Sequence, residues 1–237
     1  MSVEQQIFEL VKEKDPANPI QFVTGIVKPL AHEKLNAAIY TCEDCKISCN
    51  SVKSLTCGNP NASIMIIGES VSLEQQKDAT EKYVYPFEDS AGMYLQEAFQ
   101  YTNLNMDEVF FINSVNCFPN RDGNKRTSTV AERNCCKTFL DYAIKIVEPL
   151  MIICLGAVAV NGINEEIGKQ KISDIRGKYF TYRGITVMPT YHPGYFNELE
   201  GKFPEELIDT YRSQFMEDIY KAITDLQSQY SDIKIIS

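Results

Sequence analysis

The chain has 237 residues, 44% hydrophobic and 23% charged, the balance of a globular protein of one domain, or one domain plus an appendage. No apolar run reaches the roughly 18 residues of a membrane span. The opening MSVEQQIFELVKEK carries acids and no secretory apolar stretch, so a cytoplasmic protein without membrane attachment is expected. A net charge of −9 argues against binding nucleic acid through bulk charge, while leaving room for a local basic groove.

Val3, Ile7, Leu10 and Val11 stand at helical spacing, and Asp15, Pro16, Asn18 and Pro19 end that helix. A second helix is predicted from Pro29 to Tyr40, with Leu30, Leu35, Ala38 and Ile39 inward and His32 as a surface residue without a role. CEDCKISC follows, Cys42 to Cys49, with Cys57 beyond it. Eight cysteines in a cytoplasmic chain read better as metal or cluster ligands than as disulfides. A C-x-x-C pair brings two thiolates within reach of one metal or cluster. No second C-x-x-C completes a zinc ribbon, and the irregular spacing suits an iron–sulfur cluster better than a zinc finger.

Ser63 to Gly68 is a buried strand ending in Gly68–Glu69, and ligands in open α/β sheets sit at such carboxyl ends. A polar loop then runs to Tyr85-Pro86-Phe87, where Phe87 reads most simply as a hydrophobic staple. A helix opens near Ser90, its plausible N-cap. Val109 to Ile112 is the central strand, turning polar at Asn113, Ser114, Asn116 and Cys117. Asn113 offers both a donor and an acceptor for a planar base edge, though a turn Asn and a core Cys would look the same. Arg121, Lys125 and Arg126 form the most basic loop of the chain, open to solvation or to phosphate contact.

Thr129 to Val147 is a long helix carrying Cys135 and Cys136. Leu150 to Gly156 is the third strand, with Cys154 as a small hydrophobe. A β-ribbon lies near Lys178–Thr190, and Ile185 to Pro189 is the fourth core strand. It leads to His192, flanked by Pro189 and Pro193, an imidazole that packing alone explains poorly. The last helix runs from Glu205 to Tyr230, and 233–237 is a tail. Strands alternating with helices predict a three-layer α/β/α fold with a central four-stranded parallel sheet.

From Cys42 to Leu226 the chain resembles the family-4 (iron–sulfur) uracil-DNA glycosylases. Four segments carry the likeness in order: Cys42 and Cys45; Gly68–Glu69 with Pro86-Phe87 and Ala91-Gly92; Ile112 to Pro119 as I-N-x-V-x-C-x-P; and Leu155 to Ala159 with Pro189 to Tyr195 as P-T-x-H-P-x-Y. The resemblance implies a uracil-DNA glycosylase-like domain over residues 41–230, an N-terminal helical extension over 1–40 and a tail over 231–237. It implies a [4Fe–4S] cluster on Cys42, Cys45, Cys117 and Cys136, with a structural role. It also implies hydrolysis of the N-glycosidic bond of uracil, or of a related pyrimidine, in DNA after base flipping. Gly68, Phe87 and Asn113 would then hold the base, with Glu69 and His192 as the catalytic pair and Arg121, Lys125 and Arg126 on phosphates. A nucleoid-associated monomer is expected, with the extension as the contact for a replication or repair partner.

Two departures favour the alternative of a weak or inactive DNA-binding accessory protein. Ser70-Val71-Ser72 replaces the Pro–Gly turn usual after Gly–Glu in that family, and Glu88–Asp89 follows Phe87.

Overall fold

A computed structural model describes residues 19–47, 51–121, 123–233 and 235–236, for 19–26 and 121 the backbone alone. The helix expected over residues 3–13 lies outside them. Six strands make one mixed sheet: β1 (Cys57–Gly58), β2 (Ile64–Gly68), β3 (Val109–Asn113), β4 (Met151–Leu155), β5 (Phe180–Tyr182) and β6 (Ile185–Thr190), in the order β1-β3-β2-β4-β6-β5. The inner pairings are parallel. The sheet is thus larger than the four strands expected, because β1 and β5 add antiparallel edges. The two-residue β1 has no apolar run to betray it.

The strands alternate across the sheet as period-two geometry requires. Ile64 and Ile66 face one core cluster with Val109, Phe111, Ile153 and Met188. Met65 and Ile67 face the other with Phe110, Ile112, Ile152 and Val187. Helices α2 (Ser90–Thr102) and α6 (Glu205–Gln229) cover the first face through Leu95, Phe99, Phe215 and Ile219. Helices α1 (Pro19–Thr41), α3 (Val130–Val147) and α4 (Ala157–Ile163) cover the second through Leu35, Ile39, Leu140, Ile144 and Val160. A further short helix, α5 (Gly194–Leu199), follows β6. Among the described residues no helix is long and apolar enough to cross a membrane.

Three local expectations are revised. Helix α1 starts ten residues before Pro29 and carries that proline inside it. Its second half packs on the core, with Leu35 and Ile39 buried as their spacing predicts. His32 is not a partnerless surface residue: its Nε2 pairs with Thr56 Oγ1 at 2.8 Å, and its ring meets the edge of Phe110. The C-terminal segment is tied down, with Ile235 buried and its carbonyl accepting from the Asn105 N–H at 2.9 Å.

Candidate functional site

The carboxyl ends of β2, β3, β4 and β6 open into a cleft of about 960 Å³. Glu69, Lys125, Arg126 and His192 all line it. Gly68, Phe87 and Asn113 group behind it, over the end of β2. A Cβ on Gly68 would lie 2.2 Å from Asn113 Oδ1 and 2.8 Å from Phe87 Cζ, so only glycine lets both side chains come so close. Phe87 sits at φ 63°, a left-handed conformation costing roughly 1–2 kcal/mol for a residue with a Cβ. Its ring is 6.1 Å from that of His192 and edge-on to Phe111 at the same distance. The staple is thus corrected: Phe87 packs toward the site, and the N-cap of α2 is Asp89, not Ser90.

The turn from β2 is clamped to the turn from β3. Ser114 N–H donates to Gly68 O, Val115 N–H to Glu69 O, and Ser114 Oγ to Glu69 O, all within 3.0 Å. Burial pushes the Glu69 carboxyl up, while Lys125 and Arg133 pull it back. The acids flanking this region serve the backbone. Asp89 accepts from Gly92 N–H, Glu88 from Tyr85 N–H, and Glu74 from both Ser90 N–H and its hydroxyl. Without a Pro–Gly turn, Ser72 starts a short helix, 73–78, through a capping box with Gln75.

His192 follows β6, whose last residue is anchored below the surface. The Thr190 hydroxyl donates to Asp218 Oδ2 at 2.6 Å, and Arg176 grips the same carboxylate from two nitrogens. Gly156, at φ +85°, lets β4's end pass so close that a Cβ there would sit 3.0 Å from His192 Cβ. The Gly194 N–H donates to His192 Nδ1 at 3.1 Å. Burial, then Lys125, pushes the imidazole down to about 3. A neutral ring accepting at Nδ1 carries its proton on Nε2. The side chain is therefore a fixed neutral donor.

The basic loop divides. Arg126 is bound bidentately to Glu132, whose carboxyl it holds down to about 2. It also donates to the carbonyls of Asn120 and Thr127. Its guanidinium thus braces the loop onto α3 while Arg126 still lines the cleft. Lys125 stands in the cleft beside Glu69 and His192. Arg121 is described only by its backbone, paired with Asn124.

Three segments bring the four cysteines to one place. Cys117 and Cys136 are buried with Ile47 and Val115, and Cys45 packs against them. Burial pushes Cys117 up to about 11 and Cys136 up to about 12, with neighbouring cysteines adding to both. Lys53 Nζ donates to Cys42 O at 2.8 Å and to Cys117 Sγ at 3.6 Å. The Asn116 N–H points at the Cys136 sulfur. Buried Asn116 keeps both side-chain amide atoms without a partner among the described residues.

Among the described residues no three His, Cys, Asp or Glu side chains are grouped closely enough for a single metal ion. An all-thiol donor set with N–H groups aimed at the Cys117 and Cys136 sulfurs is the donor chemistry that an iron–sulfur cluster takes. Cys57 and Cys154 lie in the sheet, apart from this set. Sequence reasoning missed Ser54, which contacts Asn113, and Arg133, which faces Glu69. Neither gave a signal, because both contacts join distant segments.

A family model described as the uracil DNA glycosylase superfamily matches residues 55–219. The type-4 uracil-DNA glycosylase of Sulfurisphaera tokodaii is 31% identical over 171 residues, 68% of this chain and 73% of that protein. That of Thermotoga maritima is 31% identical over 166 residues, 69% of this chain and 81% of that protein. That of Archaeoglobus fulgidus is 27% identical over 164 residues, 65% and 77% respectively.

Proposed function

The chain belongs to the uracil DNA glycosylase superfamily, and on that premise we propose that it is a uracil-DNA glycosylase of the type-4 kind. It hydrolyses the bond between uracil and deoxyribose in DNA and leaves an abasic site. The target nucleotide leaves the stack and enters the cleft. Phe87 stacks on the base, a contact commonly worth about 1–3 kcal/mol. Asn113 accepts from uracil N3–H and donates to O4.

Bond cleavage builds positive charge on the sugar and negative charge on the departing base. The observation that carries the reading is the neutral, Nε2-protonated His192 locked by the Gly194 N–H. It donates to the anion growing on uracil O2 without reorganising, which is preorganised electrostatic stabilisation. Glu69 orients the attacking water, its basicity raised by burial. Lys125 meets a phosphate beside the flipped nucleotide. Cys42, Cys45, Cys117 and Cys136 hold a [4Fe–4S] cluster, which supplies a covalent tie between distant segments rather than a step in the reaction. The protein works on DNA at the nucleoid.

Glu88 and Asp89, two of the residues that favoured a binding-only protein, accept backbone N–H groups of their own loop and helix, which gives them a structural role compatible with the glycosylase reading. The test is release of uracil from an oligonucleotide with one deoxyuridine. Wild-type protein yields an alkali-labile site and Asn113→Ala does not. Equal cleavage by both would overturn the assignment.

A further inference from the structure

Asn113 is gripped from outside its own strand. Its Nδ2 donates to Ser54 Oγ across 2.9 Å, and both residues are buried, Ser54 completely. Ser54 belongs to the two-residue strand Lys53–Ser54, which pairs in parallel with Tyr83–Val84. That strand is fixed at every side. Ser54 N–H donates to Asn116 O at 3.0 Å and Leu55 N–H to Val84 O at 3.0 Å. Lys53 ties it to Cys42 and Cys117. The Ser54 hydroxyl is thus a rigid point against which a terminal amide can be set.

Pyrimidine edges make that setting matter. Uracil presents a donor at N3 beside an acceptor at O4, whereas cytosine presents an acceptor at N3 beside a donor at N4. An amide turned end for end would fit cytosine instead of uracil. Resting on the base-reading role of Asn113 given above, we propose that Ser54 is a positioning residue for that amide. By accepting from one Nδ2 hydrogen it directs the second toward O4. Oδ1, seated over Gly68, is left to accept from N3–H. Ser54 thereby takes part in choosing uracil over cytosine, although it never touches the base.

The experiment measures fluorescence-anisotropy affinities for a non-cleavable oligonucleotide bearing one 2′-fluoro-deoxyuridine, against the same strand with 2′-fluoro-deoxycytidine. Wild-type protein prefers uracil. Ser54→Ala lowers that preference about tenfold, the worth of one oriented hydrogen bond, through weaker binding of the uracil strand and binding of the cytosine strand that is equal or stronger. In an Asn113→Ala background the same substitution has no further effect, because coupled residues lose their interaction once. Ser54→Cys, which keeps the shape but accepts weakly, gives a similar loss and serves if Ser54→Ala fails to fold.

Full preference in folded Ser54→Ala, or an equal loss in both backgrounds, would overturn the proposal and mark Ser54 as structural only. Wild-type protein without any uracil preference would instead remove the base-reading role of Asn113, and Ser54's role with it.

Discussion

Gly194 and His192 are joined by a hydrogen bond from the glycine N–H to Nδ1, 3.1 Å long, and this one contact decides what the imidazole can do. Its proton is on Nε2, and the ring is neutral because burial holds its pKa down to about 3. Uracil release measured in single turnover should therefore show no inflection near pH 6.5 from this residue. His192→Ala should lose about 10²–10³ in rate, the usual cost of one oxyanion donor. A histidine-like inflection that vanished with the substitution would contradict the neutral ring.

The same depression has a stability consequence of definite sign. Between pH 6.5 and about 3 the unfolded chain binds a proton at His192 that the folded chain does not. Folding stability is therefore complete above pH 6.5 and falls as pH drops through that window. Urea denaturation of wild type and His192→Asn at pH 7.5 and 4.5 checks it. The wild type should lose more stability on acidification than the variant.

Gly68→Ala should close the base site. Its methyl would fall within 2.8 Å of both Asn113 Oδ1 and Phe87 Cζ, so at least one must move off the end of β2. Excision of uracil should drop by two orders of magnitude or more, since small misplacements of positioning groups cost about 10². Affinity for undamaged DNA should change little. Undiminished excision in this variant would show that the base does not enter between Phe87 and Asn113.

The four long strands were legible because each is a short run of apolar, β-branched residues ending abruptly in Gly68, Asn113, Gly156 or Thr190. That abruptness also revealed Glu69, Asn113 and His192. Contacts made by polar residues across long separations were not legible. The Lys53–Ser54 strand has no apolar pattern, yet it is packed between the cysteine segments and Asn113. Asp89 took the cap of α2 from Ser90 because Glu74, sixteen residues away, binds Ser90. Pro29 looked like a helix start, where proline is favoured, and packing of α1 on α3 carries the helix through it.

Arg126 and Lys125 should part company when each is removed. Lys125→Ala should weaken DNA binding and reduce the salt slope by about 1, as expected for one phosphate contact. Arg126→Ala should leave that slope unchanged and instead lower the melting temperature, because Glu132 loses its partner. Glu132, held down to about 2 by Arg126, adds stability that is present above pH 4.5 and lost as pH falls toward 2. A reduced salt slope in Arg126→Ala would return the residue to the phosphate group.

Removal of single cysteines should separate ligands from bystanders. Cys117 and Cys136 are buried together, Cys45 packs against them, and the charge of Cys42 is felt at both. Anaerobically purified wild type should be brown, with broad absorbance near 400 nm, and Ala at any of these four positions should bleach it. Because the cluster would join helix α1's end, the β3 turn and α3, bleached variants should also melt at lower temperature. Ala at Cys57 or Cys154, which sit in the sheet away from the set, should keep the colour. Cys135 is the sharper control, since it neighbours Cys136 but is absent from the buried group. Loss of colour in Cys135→Ala with retention in Cys136→Ala would exchange the two assignments, and colour retained in all four ligand variants would exclude the cluster from this place in the fold.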